Sequence, residues 1–380
     1  MVEWKEYRIK DLGEVVTGNT PPTSNREYYG TEYKFIKPTD MVEGQRFVST
    51  TEEYYSELAY QKYKKCLLPP KTPCVVTIGS LGKKMCLTDT ECFTNQAVNA
   101  VIPNKENDGE FLYYAFKASV LAYVKQLDSG TTSGRENVSK SSFSKIKVRV
   151  PPLPTQQKIA SILSAYDNLI QNYKKQIEAL QTAASELYKE WFVRFRFPGY
   201  KNAKFENGIP EGWKIERLTK LVGIKYGKDH SKLDDGNIPV YGSGGIMRYC
   251  NKALYDKETV LIPRKGSLNN IMYANRPLWT VDTMFYSIML RKNFAKYLYY
   301  VLSKIDMESF NAGAALPSMT TEILSHFKII VPDNKTLELF DNKIALIFTQ
   351  IDNLQQQIAN LTQQRDLLLP RLMSGKLEVK

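Results

Sequence analysis

The sequence predicts an α+β protein made of two similar sheet-based domains, each followed by one long helix. Three observations predict it: an internal repeat that divides the chain, a heptad stripe that recurs after each half, and short β-branched and aromatic runs filling the regions between.

The repeat comes first because it sets the frame. Trp4-Lys5, Leu12 and Gly18 recur 209 residues later as Trp213-Lys214, Leu221 and Gly227. Val150-Pro151 and Gln176-Ile177-x-x-Leu180 recur 181 residues later as Val331-Pro332 and Gln357-Ile358-x-x-Leu361. The offset falls because the middle of the second half is shorter. The framing segments are held alike, and what lies between them has diverged. The expected division is residues 1–150, a helical spacer 151–197, residues 198–331 and a second spacer 332–380.

Both sheet regions carry strand-like runs broken by Gly, Pro, Asn and Asp, such as Cys74-Val75-Val76-Thr77-Ile78, Val98–Ile102, Thr259-Val260-Leu261-Ile262 and Phe285–Leu290. Phe111–Tyr123 and Phe294–Ser303 read as short helices with aromatic faces. After the first Val-Pro, Ile159, Leu163, Tyr166, Ile170, Tyr173, Ile177, Leu180, Ala184, Leu187 and Trp191 advance in steps of four and three, the pattern of a coiled-coil seam. The same register recurs from Phe340 to Leu372, with Arg365 as a polar interruption. Each stripe would run about 50 Å at the α-helical rise, so two matched seams should pack together as a strut. Prolines precede both helices, where they are tolerated. Pro198-Gly199 is expected to close the first helix, and Pro370 or Ser374-Gly375 the second.

Composition narrows the function. The 380 residues hold 52 Lys and Arg against 40 Asp and Glu, a net charge of +12, which favours a polyanionic partner because basic side chains displace condensed counterions from phosphates. No apolar run reaches the length of a membrane span, and the acidic start Met1-Val2-Glu3 does not read as a signal peptide, so a cytoplasmic protein is expected. The five cysteines are scattered and never spaced as C-x-x-C, which predicts reduced, mostly buried thiols and no zinc site. With only His230 and His326, there is little material for metal or nucleophile-base chemistry. Thr20-Pro21-Pro22-Thr23 lacks the aromatic that an adenine methyltransferase would stack on a flipped base, and no phosphate-binding glycine motif occurs. Pro332-Asp333 with Glu378-Val379-Lys380 would bracket a long helix, too far apart for a nuclease site. No catalytic, metal or cofactor-binding residue is therefore expected on this chain.

At the junction of the halves, Leu187-Tyr188-Lys189-Glu190-Trp191-Phe192-Val193-Arg194-Phe195-Arg196-Phe197-Pro198-Gly199 and Gly208-Ile209-Pro210-Glu211-Gly212-Trp213 resemble the junction of specificity subunits of type I restriction-modification enzymes. Gly18-Asn19-Thr20-Pro21-Pro22, Asn95-Gln96-Ala97, Val150–Gln157 and Ile238–Gly245 extend the resemblance over essentially the whole chain. It implies two target-recognition domains, each reading half of a split sequence in double-stranded DNA, held apart by two antiparallel coiled-coil helices that dock two methyltransferase subunits. Restriction subunits join that assembly, which uses S-adenosylmethionine, ATP and Mg, and the specificity subunit performs no chemistry. Two unequal domains on a rod also act as a ruler for an asymmetric target, since half-sites on one face of DNA lie about 34 Å apart per turn. The alternatives are a protein-only coiled-coil adaptor and a stand-alone DNA-modifying enzyme.

Candidate DNA-binding residues lie in polar loops beside the strands, where glycine lets the backbone approach phosphate and Lys or Arg supplies charge. In the first domain they are Lys37, Thr39, Ser80, Lys83, Lys84, Thr131 and Arg135. In the second they are Lys228, His230, Ser231, Ser243, Arg248, Arg264, Lys265, Ser267 and Asn269. Tyr188, Phe192, Phe195 and Phe197 exceed what one seam can bury, and are expected either to bind a partner or to pack under the second domain.

Overall fold

The computed structural model describes residues 3–127, 137–311 and 317–379. It divides into two compact units, residues 1–174 with 355–380 and residues 175–354.

In the first unit, a four-stranded antiparallel sheet runs in the order Gly13–Thr17, Val98–Pro103, Pro73–Val76, Met85–Leu87. A three-stranded sheet places Tyr29–Ile36 between antiparallel Glu53–Tyr55 and parallel Cys92–Thr94, and Lys5–Arg8 pairs with Lys147–Val150 as a separate ribbon. The second unit repeats every one of these sheets. Its four strands run Val222–Tyr226, Met284–Met289, Thr259–Pro263, Met272–Ala274. Its three-stranded sheet puts Ile238–Gly242 between antiparallel Gly245–Cys250 and parallel Trp279–Thr280, and its ribbon pairs Lys214–Arg217 with Lys328–Val331. The repeat read from scattered identities is thus a repeat of complete topology.

The Val-Pro pairs mark where strand gives way to helix. Val150 and Val331 are the last residues of their ribbons, and the proline that follows has no N–H with which to continue the ladder. The helices run Leu153–Tyr188 and Asn334–Met373. The first passes into a π-turn at Lys189–Val193 well before Pro198. Pro370 does not stop the second, contrary to one of the two expected closures: it lies inside the helix, which the burial of Leu369 and Leu372 carries on to Met373 before Gly375 turns with φ 72°.

Every position of the predicted stripe is buried or half-buried. In the first unit Ile159 and Leu163 share a core with Leu369 and Leu372. In the second Ala184 and Tyr188 share one with Phe340 and Ile344. Within each unit the two helix segments therefore pack antiparallel. Arg365, the interruption in the stripe, is 8% exposed and is satisfied there: its Nη1 lies 2.5 Å from Asp167 Oδ1, and Tyr114 donates to the other carboxylate oxygen at 2.6 Å. Beside them Arg46 donates to Asn168 at 3.1 Å and pairs with Glu110 at 2.8 Å, tying the sheet region to the helix. The second unit has the same socket with inverted charge. Glu110 and Lys296 are both the second residue of a helix that goes on with Leu-Tyr-Tyr, and Lys296 bridges Glu258 at 2.6 Å and Asp341 at 3.0 Å.

Removing one partner of a buried pair strands the other charge. Arg365→Met should cost about 3–5 kcal/mol in thermal or denaturant unfolding, and adding Asp167→Leu should recover most of it.

Candidate nucleic-acid interface

The loops nominated by sequence hang from one backbone crossing, built twice. In the first unit Asn19 N–H donates to Thr94 O at 2.9 Å, Asn95 to Ile36 O at 3.3 Å, Thr77 to Ala97 O at 2.8 Å and Val98 to Asn95 O at 3.1 Å. In the second, Lys228 donates to Thr280 O at 2.8 Å, Val281 to Tyr241 O at 3.0 Å, Arg264 to Thr283 O at 2.8 Å and Met284 to Val281 O at 3.0 Å. Three strand ends thus meet one turn in each unit. The crossing explains the repeated glycine: a Cβ on Gly18 would stand 2.1 Å from Thr94 O, and one on Gly227 2.0 Å from Val281 O.

Around the first crossing, Lys84 Nζ donates to Pro38 O at 2.7 Å and so joins the Lys37–Asp40 loop to the Gly79–Lys84 loop. Gly79 and Gly82 both have positive φ, which an L side chain would strain. Ser80, Lys83 and Thr39 are exposed, and Lys83 has no carboxylate in salt-bridge reach among the described residues. Lys37 is engaged within the unit, 2.9 Å from Glu52 and 3.1 Å from Glu53. Burial would lower its pKa, but hydrogen bonds to the two carboxylates outweigh that and hold it above the ordinary lysine value, while Lys37 in turn holds the Glu52 carboxyl below the usual range. Thr131 and Arg135 lie outside the described residues. Asn137, the first described residue after them, bridges Ile78 at the start of the Gly79–Ser80 turn.

Around the second crossing, Asn270 Nδ2 donates to Ser243 O at 2.7 Å, joining the hairpin turn Gly242–Gly245 to the Arg264–Asn270 loop. Leu268 is fully buried and anchors that loop, leaving Lys265, Ser267 and Asn269 exposed. Asn269 is also held by Asp306, at 3.0 Å, and by the Met307 N–H, at 2.7 Å. The Arg264 guanidinium lies 5.3 Å over the ring of Tyr226. Lys228 has its backbone pinned by Thr280 and Trp279 and its side chain exposed. Ser231 donates both its N–H and its hydroxyl to Asp229, which lowers that carboxyl's pKa, and His230 Nδ1 is buried without a hydrogen-bond partner. Arg248 turns into its own unit, 2.6 Å from Leu233 O and 3.5 Å from Asp235.

The aromatic surplus at the junction is absorbed by packing. Tyr188, Phe192 and Phe197 are buried in the core of the second unit with Trp213 and Tyr297, and Phe195 packs partly buried against it, so of the two expected outcomes these residues show packing within the second unit. Sequence reasoning also missed Lys64 and Lys65, exposed at the end of helix Glu57–Tyr63, and the exposed Ile246, Met247 and Tyr249. A Lys-Tyr-Lys-Lys run at residues 62–65 was the legible signal for the former. Four of the five cysteines are buried and all are free, as expected. Among the described residues no side-chain cluster could hold a metal, and no helix is long and apolar enough to cross a membrane.

A doubled α+β fold whose two crossings present different polar loops defines a two-headed recognition protein. The chain belongs to the family described as "Type I restriction modification DNA specificity domain", whose model matches residues 1–182 and again 210–365, once per repeat. It is 27% identical to the MjaIX specificity subunit of Methanocaldococcus jannaschii over all of this chain and 94% of that protein. It is 35% identical to the HindI specificity subunit of Haemophilus influenzae over 44% of this chain and 38% of that protein. The crystal structure of a type I system S subunit from M. genitalium matches its fold with a TM-score of 0.65 at 19% identity, covering 98% of this chain and 96% of that one. Specificity subunits are non-catalytic parts of type I complexes, and neither the adaptor nor the stand-alone enzyme is supported.

Alanine at Gly18 or Gly227 should overpack its crossing and lower stability by about 1–3 kcal/mol. Gly244→Ala, where a Cβ meets nothing within 4 Å, should stay within about 0.5 kcal/mol of wild type in the same thermal scan.

Proposed function

We propose that this chain selects a bipartite, asymmetric sequence in double-stranded DNA, each unit reading one half, and that it carries two methyltransferase subunits to the site, with restriction subunits completing the assembly. The observation that supports this best is the pair of matching backbone crossings that hold non-matching loops. A constant scaffold with exchanged loops suits two heads that read different bases. S-adenosylmethionine, ATP and Mg would be used by the other subunits.

The methyltransferases would grip the outer faces of the long helices. Ile162 and Leu169 in the first unit and Leu339 and Leu346 in the second are each seven residues apart and at least 37% exposed, with Leu346 at 74%. Apolar pairs at that spacing form a stripe on one helix face. Leu346→Asp should reduce co-purification of the methyltransferase without lowering the melting temperature.

Sequencing modified adenines in cells with and without this chain tests the reading directly. A split, non-palindromic sequence should be methylated only when the chain is present, and no chain-dependent methylation would overturn the proposal. Binding of that duplex should weaken steeply with salt. Lys265→Gln or Lys83→Gln should lower the slope of log K against log salt by about 1 for each phosphate no longer neutralised.

A further inference from the structure

The hairpin Ile238–Gly242/Gly245–Cys250 of the second unit has its polarity inverted. Among the described residues Gly245–Cys250 is an edge strand, paired only with Ile238–Gly242. Soluble proteins usually guard such edges with outward charges. Here the outward positions are Ile246, Met247 and Tyr249, which are 49%, 60% and 51% exposed, while Arg248, the strand's cation, is folded back onto Leu233 O and Asp235. The strand therefore offers solvent an apolar surface and almost no side-chain hydrogen-bonding capacity beyond the Tyr249 hydroxyl.

This surface is joined to positive charge. The hairpin turn is latched to the Arg264–Asn270 loop by the Asn270–Ser243 hydrogen bond, and Gly266, at φ 83°, comes so near that a Cβ there would stand 2.8 Å from Ser243 Oγ. Lys265 in that loop is exposed and has no carboxylate in salt-bridge reach among the described residues. Met247 is held near the turn as well: a Cβ on Gly242 would collide with its sulfur at 2.4 Å, so the thioether lies across the glycine.

We propose that this hairpin enters the major groove and reads the 5-methyl group of thymine through Met247, with Ile246 beside it, while Lys265 neutralises an adjoining phosphate. The inference rests on the reading of the chain as a DNA-binding protein and deepens it by naming an element and a base feature. The major groove admits a two-stranded ribbon, and the thymine methyl is the apolar group that base pairs display there. An apolar, cation-flanked ribbon matches that feature, whereas a hydrogen-bonding reader would need the free polar side chains that this strand lacks. A flexible thioether suits a contact of this size.

The test uses the complex of the full chain with its methyltransferase, on the duplex mapped by methylation sequencing and on duplexes in which uracil replaces each thymine in turn, which removes the methyl alone. Wild type should lose about fourfold in affinity at one or two adjacent positions of a single half-site, the worth of one buried methyl-sized group. Met247→Ala should weaken the thymine duplex and abolish the thymine–uracil difference there, Met247→Leu should restore it, and melting temperature and methyltransferase content should be unchanged. Equal affinity of wild type for thymine and uracil at every position would overturn the proposal, as would a Met247→Ala complex that keeps the difference. A variant that sheds the methyltransferase while keeping its base preference would make the hairpin a protein-docking edge. If no chain-dependent target maps at all, it is the DNA reading itself that fails.

Discussion

The structure of both units depends on one close approach of backbone to backbone. At Gly18 and Gly227 the chain passes so near a carbonyl of the following turn that no side chain fits, and that proximity lets three strand ends share one set of hydrogen bonds. Backbone hydrogen bonds do not depend on which side chains the loops carry, apart from proline. The loops can therefore be exchanged without rebuilding the scaffold, and the two units differ where recognition would occur and agree where they are framed.

Electrostatics separates three groups among the basic residues. Arg46, Arg365 and Lys296 are buried with carboxylate partners, and they fasten the sheet regions to the long helices inside each unit. Lys37 and Arg248 sit nearer the surface, engaged by Glu52, Glu53 and Asp235. Lys83, Lys228 and Lys265 stand in solvent on the loops beside the crossings. A net charge of +12 says nothing about this division. These three can neutralise phosphate without first breaking an ion pair among the described residues.

The inverted socket at Glu110 and Lys296 shows how a duplicated fold tolerates change. The charge at the second position of this helix, half-buried as Glu110 and buried as Lys296, must be satisfied, and either sign serves if its neighbours complement it. The same tolerance explains Arg365 in the apolar stripe. An arginine there replaces apolar packing by a polar network with Asp167 and Asp366, while Asp167 is also held by Tyr114.

By itself the sequence determined the periodic and the repeated: the two long helices, their matching stripes, the Val-Pro transitions and the doubling of the sheet regions. Each of these is a local or register property, written in spacing along the chain. Only the tertiary structure decided which side chains were free to act. Lys37, Arg248 and the junction aromatics Tyr188, Phe192 and Phe197 look available in a linear reading, but neighbours distant in sequence engage or bury them. Met247 and Ile246, which resemble core residues, are left in water because no described strand pairs with their edge of the sheet. Exposure is set by contacts between remote segments, and no spacing rule along one strand records them.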